Sequence, residues 1–375
     1  MSEYLFPKRL SRRDFLGTTA LAAAGASTLP GLNLRADPAN DEKKTPVLMG
    51  SGYHTYTLDE DWGRLPAGMK YGHGCGVIVD SHDRIYVTSR SKNPCVAIFD
   101  KDGKLEETWG QDFADKIGFT TAEVADTAHC IYWSKEHACQ YIYWTENIST
   151  NKTGPKLGAR VYKTGLDGKI LYQIGNVAKE GSDAQKFDWT SPTDVAVGPN
   201  LDIYVVDGYG SQRVTRFDKN FKPLRTIGGH GTGDGEFNIC HGIWINSLKG
   251  GEPEVYIADR ATGRVQVFDL ELNHKRNLVG TVRNPCCFYQ HQENLFIPDL
   301  ASRVTILDPQ DQLVTYLGDG KEADGKTNRV DNRTNPALFA APHAMCVDSK
   351  GNLYVVEWIP TGSPRKFIHT PYARV

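Results

Sequence analysis

No cysteine precedes Cys75, no two cysteines stand at the Cys-x-x-Cys spacing, and no apolar run reaches the length of a membrane span. The first absence argues against a lipid anchor near the N-terminus. The second leaves the eight cysteines without a pairing frame, so no disulfide map follows from them. Most of them sit inside apolar strand segments, where a free cysteine behaves as a small hydrophobe. The third bears on Leu16 to Leu29, a stretch rich in Ala, Gly and Thr. It is shorter than the ~20 apolar residues that a spanning helix needs. Charge of one sign is lacking too. A formal net charge of −2 leaves no electrostatic footprint for nucleic acid.

Glycine and proline are plentiful at 37 and 19, and 17 Tyr, 14 Phe and 7 Trp supply residues that favour strands. The N-terminal stretch has the form of a signal segment. Arg12 and Arg13 in "SRRDFLG" precede the short apolar run, and small residues follow up to Ala36. The pattern resembles the twin-arginine type, which implies export from the bacterial cytoplasm to the periplasm or beyond. The expected division is a signal peptide over 1–36, a linker over 37–45 and one domain over 46–375.

Internal repeats set the architecture of that domain. The unit is an apolar strand, a turn with Asp, Asn or Gly, a second strand ending in an acid, and a third ending "-FD". It is clearest in "GVIVDSHDRIYVTSRSKNPCVAIFDKDGKLEETWG" from Gly76 and "DVAVGPNLDIYVVDGYGSQRVTRFDKNFKPLRTIG" from Asp194. Further copies start near Ala128, Gly242, Cys287 and Ala344, the one at Ala128 broken by an insertion. A four-stranded unit cannot bury both of its faces alone, so six such units predict a six-bladed β-propeller. The last copy lacks room for a fourth strand. The alternating segment "GYHTYTLDEDWG" from Gly52 is expected to supply it and close the ring.

Alignment of the six copies on the last residue of the first strand, then five residues back, gives Cys75, His129, Thr193, His241, Cys286 and His343. First strands line a propeller's channel, so these form one ring, with histidines in alternate blades about 120° apart. Three imidazoles converging on an axis make a zinc-type site with an open fourth position. The small residues between them leave room for a metal, and Cys75 and Cys286 are possible competing ligands. The acids Glu146, Asp207, Asp259, Asp299 and Glu357 end second strands and are expected to bond backbone N–H groups of the following turn. One position on, Arg90 and Arg260 suit a carboxylate clamp. Tyr209 in "DGYGSQR" stands beside the same mouth, where positive charge would favour its phenolate and a role as base.

At these residues the chain resembles the NHL-repeat propellers, and within them peptidyl-α-hydroxyglycine α-amidating lyase. The likeness is sharpest at "SPTDVAVGPNLDIYVVDGYGSQRVTRFD", "HGIWIN…VYIADRATGRVQVFD" and "APHAMCVDSKGNLYVVE". The resemblance implies zinc on His129, His241 and His343, a catalytic tyrosine at Tyr209 and active-site arginines at Arg90 and Arg260. It implies cleavage of a carbinolamide that carries a carboxylate, peptide or small molecule, to an amide and glyoxylate. Ala344 stands where the family places an Asp that helps bind calcium, which argues against calcium here. Gly210 replaces a family cysteine, and "CHG" replaces a proline–histidine pair at Cys240–His241. Two other classes remain from the sequence: a metal-dependent hydrolase or lactonase on the same fold, and a non-catalytic propeller that binds protein or glycan. The His-rich inner ring counts against the first, and metal content would decide the second. Nothing in the sequence specifies an oligomeric state.

Overall fold

The computed structural model describes residues 45–91, 94–109, 127–147, 159–175, 185–187, 190–320 and 335–374. The expected signal segment, almost all of the linker, and the insertion at 148–158 lie outside the described residues. Every regular element among the described residues is a strand, and no helix there is long and apolar enough to cross a membrane.

Six sheets follow one another along the chain, antiparallel apart from one edge strand. Blade 1 is β3 (Gly74–Val79), β4 (Ile85–Ser89), β5 (Val96–Phe99) and β6 (Leu105–Trp109). Blade 2 is β7 (Ala128–Glu136), β8 (Cys139–Glu146), β9 (Arg160–Thr164) and β10 (Ile170–Gly175), with a parallel fifth strand, β11 (Gln185–Lys186). Blade 3 is β12 (Asp194–Val197), β13 (Ile203–Asp207), β14 (Arg213–Phe217) and β15 (Pro223–Gly228). Blade 4 is β16 (Cys240–Asn246), β17 (Glu254–Asp259), β18 (Arg264–Phe268) and β19 (His274–Val279). Blade 5 is β20 (Tyr289–His291), β21 (Asn294–Asp299), β22 (Arg303–Leu307) and β23 (Leu313–Leu317). Blade 6 is β24 (Pro342–Val347), β25 (Leu353–Glu357) and β26 (Arg365–His369). As expected, the N-terminal segment completes it: β2 (His54–Asp59) pairs with β26, with Tyr56 opposite His369. A further edge strand, β1 (Leu48–Ser51), pairs with β2 and makes blade 6 five-stranded.

The apolar clusters explain why six units are needed. The clusters fill the spaces between neighbouring blades, and one of them also takes in channel residues of blades 2 and 5. Val77, Val79 and Val87 of blade 1 meet Ala344, Tyr354 and Val356 of blade 6. Ile78, Tyr86 and Ile98, on the other face of blade 1, meet Ile131, Ile142 and Trp144 of blade 2. Both faces of a blade are therefore apolar, and each is covered only by its neighbours. The recurring "-FD" ends are turn chemistry. Asp100, Asp218, Asp269 and Asp308 each accept the backbone N–H groups two and four residues on, closing the outer hairpins.

Candidate metal centre

Side chains at the ends of the second strands set the inner ring, by a route that corrects the sequence reading. These groups chiefly hold the segment that leads into the first strand of their own blade, with the following turn secondary. Asp207 accepts N–H from Thr190 and Ser191 as well as from Ser211. Asp259 accepts from Asn238, Asp299 from Arg283 and Asn284, and Glu357 from Ala340 and Ala341. Glu146 takes the Thr127 hydroxyl, and Ser89 takes Gly72 N–H. In each blade this fixes the chain two or three residues before the ring position, through backbone N–H in five blades and through the Thr127 hydroxyl in blade 2. A β-bulge then follows at Cys75, His129, His241 and His343, where the pairing register slips by one residue. An extra residue on one strand bends it and re-aims its side chain. Thr193 bears no bulge; its N–H bonds Val206 C=O across a regular pair.

The three histidines meet as the register predicts. Their ring centroids lie 5.0, 5.0 and 4.7 Å apart. One potential ligand nitrogen from each falls within 4.8 Å of the other two. All three are buried, at 0, 0 and 1% exposure. Each Nδ1 bonds the carbonyl of the ring residue in the next blade. His129 reaches Thr193 O at 2.6 Å, His241 reaches Cys286 O at 2.9 Å, and His343 reaches Cys75 O at 2.5 Å. A carbonyl only accepts, so each Nδ1 carries the proton and each Nε2 keeps a lone pair. His129 Nε2 and His343 Nε2 are buried without a hydrogen-bond partner, while His241 Nε2 lies 3.0 Å from the Tyr209 hydroxyl. Burial holds His129 and His241 well below the usual histidine pKa, and brings His343 down to about 3, with Arg260 adding to the effect. The triad is a set of neutral imidazoles whose acceptor nitrogens face one another. A buried unpaired acceptor is costly, and a cation removes that cost. The residues present therefore fit a bound divalent metal, with zinc suited to the nitrogen donors.

Tyr209, Arg260 and Arg90 surround the triad. Arg260 Nη1 donates to the Tyr209 hydroxyl at 3.0 Å, and its guanidinium carbon lies 5.0 Å from the Tyr209 ring. Gly208 lets Tyr209 reach this place, because a Cβ there would fall 1.8 Å from Cys240 O. The Tyr209 pKa is raised above the usual 10 by desolvation, which outweighs Arg260 and Arg90. Arg90 bonds Asn147 Oδ1 and lies 5.7 Å from the Trp358 ring, which stacks on His343 at 5.5 Å. Asn147 and Trp358 occupy the register position of Arg90 and Arg260 in blades 2 and 6. The endings "WTEN" and "VVEW" carried that signal, which a reading for charge alone passed over.

Cys75 donates to His73 O and Cys286 contacts Asn284 O, and burial pushes their pKa values up to about 11 and about 12. The sulfurs within 4.8 Å of a His343 nitrogen and of each other are those of Cys130 and Cys287.

A six-bladed ring with a polar axial site is the class that this geometry defines. Residues 190–217 match the NHL repeat family. The chain is 28% identical to mouse NHL repeat-containing protein 3 over 311 residues, 80% of this chain and 81% of that one. The human protein of that name matches at 27% over 217 residues, 57% of this chain but only 56% of its own length. A Caenorhabditis elegans protein named as a probable peptidyl-alpha-hydroxyglycine alpha-amidating lyase is 24% identical over 231 residues, 58% of this chain and 59% of that one. Among solved structures, an auxiliary nutrient binding protein from Bacteroides thetaiotaomicron superposes with a TM-score of 0.52 at 14% identity, over 86% of this chain and 76% of that one. That likeness shows the fold alone. The chain is thus a β-propeller carrying an NHL repeat, with distant relatives among amidating lyases.

Proposed function

We propose that the chain is a zinc-dependent carbon–nitrogen lyase that cleaves a carbinolamide bearing a carboxylate, of the α-hydroxyglycine type, to an amide and glyoxylate. The observation that carries the reading is the neutral triad: three buried imidazoles, each Nδ1 tied to a neighbouring blade, with two Nε2 atoms left without partners. The lyase relative, at 24% identity, supports the reaction class. The Arg12–Arg13 pattern supports export by the twin-arginine route.

His129, His241 and His343 would hold the metal through Nε2. When bound, zinc supplies Lewis acidity toward a substrate hydroxyl. Tyr209, ionised to its phenolate beside Arg260 and the metal's charge, would accept the proton of that hydroxyl as general base. As the C–N bond breaks, its electron pair goes to nitrogen, which takes up a proton and leaves as the amide. The hydroxyl-bearing carbon becomes the aldehyde carbon of glyoxylate. Arg90 and Arg260 bind the substrate carboxylate, Trp358 backs Arg90, and Asn147 orients it. Arg260 also donates to the Tyr209 oxygen, a contact that stabilises negative charge there.

Elemental analysis of the wild type beside His129→Ala, His241→Ala and His343→Ala, with an assay for glyoxylate released from a hydroxyglycine peptide, tests the reading. About one zinc per chain, lost in each variant together with glyoxylate release, supports it. Metal without turnover of any hydroxyglycine peptide overturns the lyase assignment. A second reading, a non-catalytic binding propeller, draws on the mouse relative, which covers most of the chain and is named for its repeat alone. It leads if the wild type holds no metal.

A further inference from the structure

Beneath the triad the channel opens into a cavity of about 480 Å³, lined by inner strands of all six blades. Cys130 and Cys287 both line it. Their sulfurs lie 3.3 Å apart although the residues are 157 positions apart in sequence. Cys130 follows the bulged His129 on blade 2, and Cys287 follows Cys286 on blade 5, so the pair joins opposite sides of the ring. The same cavity is lined by Lys135 and His137, both exposed, which give small solutes a way in.

We propose that Cys130 and Cys287 form a redox-active dithiol that closes to a disulfide across the channel. Two observations favour this over a shared soft metal. Thiolates on one tetrahedral zinc stand roughly 3.8 Å apart, from Zn–S bonds of about 2.3 Å. The observed 3.3 Å is already shorter, on the way to the ~2.05 Å of a sulfur–sulfur bond. The third ligand that a metal would draw on is His343, whose Nδ1 is engaged with Cys75 O and whose Nε2 faces the other two histidines.

The oxidant is a small organic disulfide. One protein thiol attacks it, one thiol leaves, and the second protein thiol displaces the other. The S–S bond of the reagent breaks and the Cys130–Cys287 bond forms. Two electrons pass from the protein sulfurs to the reagent, and both protons end on the two thiols released. Closure ties blade 2 to blade 5 and should raise the melting temperature by several degrees.

The full chain is equilibrated with reduced or oxidised glutathione, acid-quenched, denatured and alkylated, and its adducts are counted by intact mass. The reduced chain has eight cysteines to alkylate. The expected result is loss of two adducts under oxidised glutathione beyond any mixed disulfide on the exposed Cys139, which intact mass shows as added glutathione, with the loss reversed by dithiothreitol and a cross-linked peptide containing Cys130 and Cys287. Cys130→Ser and Cys287→Ala should each abolish that loss. The wild-type count needs no variant, so a variant that fails to fold leaves the test intact. Full alkylation at every glutathione ratio, a bond between other cysteines, or protection that a chelator releases would overturn the proposal.

Discussion

The even and odd blades use the same ring position in opposite ways. Blades 2, 4 and 6 present imidazoles, from His129, His241 and His343. Blades 3, 5 and 1 present Thr193, Cys286 and Cys75, and what they give the site is a backbone carbonyl, at 2.6, 2.9 and 2.5 Å from the three Nδ1 atoms. At the ring position the even blades thus present side chains and the odd blades orient them through the main chain, while Tyr209 of blade 3 and Arg90 of blade 1 join from the turns after their second strands. A carbonyl behind a metal-binding histidine sets its tautomer and ring angle. The carbonyl's role does not depend on the odd-blade side chain, which makes its own contacts, as Cys286 Sγ does with Arg260 Nη1 at 3.9 Å.

The comparison breaks most readily at the even blades. His129→Ala, His241→Ala and His343→Ala are each expected to lose bound metal. Changes behind a ligand typically cost 10–100-fold in metal affinity or activity, so loss of a ligand itself should cost at least about 100-fold in both. Metal titration on chelated protein measures the first, and glyoxylate release the second. Equal effects from all three would show that the triad acts as one unit. A variant that keeps its metal would remove that histidine from the site.

Tyr209→Phe comes next. It removes the hydroxyl that meets His241 and Arg260 but leaves the ligand nitrogens intact. The expected outcome is a kcat lower by about 10²-fold or more, the usual worth of a general base, with metal content unchanged. An unaltered kcat would mean that the proton goes elsewhere.

A smaller effect follows from the protonation of the triad. Burial lowers the folded-state pKa of His343 to about 3, from the ordinary 6.5. The unfolded chain therefore binds the proton first as pH falls. Stability contributed by the neutral state is full above about 6.5 and is lost progressively as pH falls from there toward 3. In chelated protein, melting of the wild type and His343→Gln from pH 8 to 5 isolates this term. The wild type is expected to lose its melting temperature faster. Parallel curves would mean that His343 is not held neutral.

The fold and the triad were legible for one physical reason: each copy repeats the same apolar strand, turn and acid, so a residue's place in one blade could be counted in another. The count worked for His129, His241 and His343 because their bulges fall at the ring position itself. The edge strands β1 and β11 are too short for periodicity to reveal, at four and two residues.

The mildest prediction tests the odd blades directly. Thr193 is fully buried, and its hydroxyl lies 3.2 Å from Cys240 O and 3.4 Å from Val206 O. Thr193→Val keeps the shape and the main-chain carbonyl but removes that hydroxyl. The expected cost is about 1 kcal/mol of stability, the worth of one modest hydrogen bond, read by denaturant unfolding. His129 Nδ1 keeps its acceptor, so metal content and kcat should stay at wild-type levels. If Thr193→Val instead lost metal as His129→Ala is expected to, the odd-blade side chains would belong to the site, and the division of labour between alternate blades would fall.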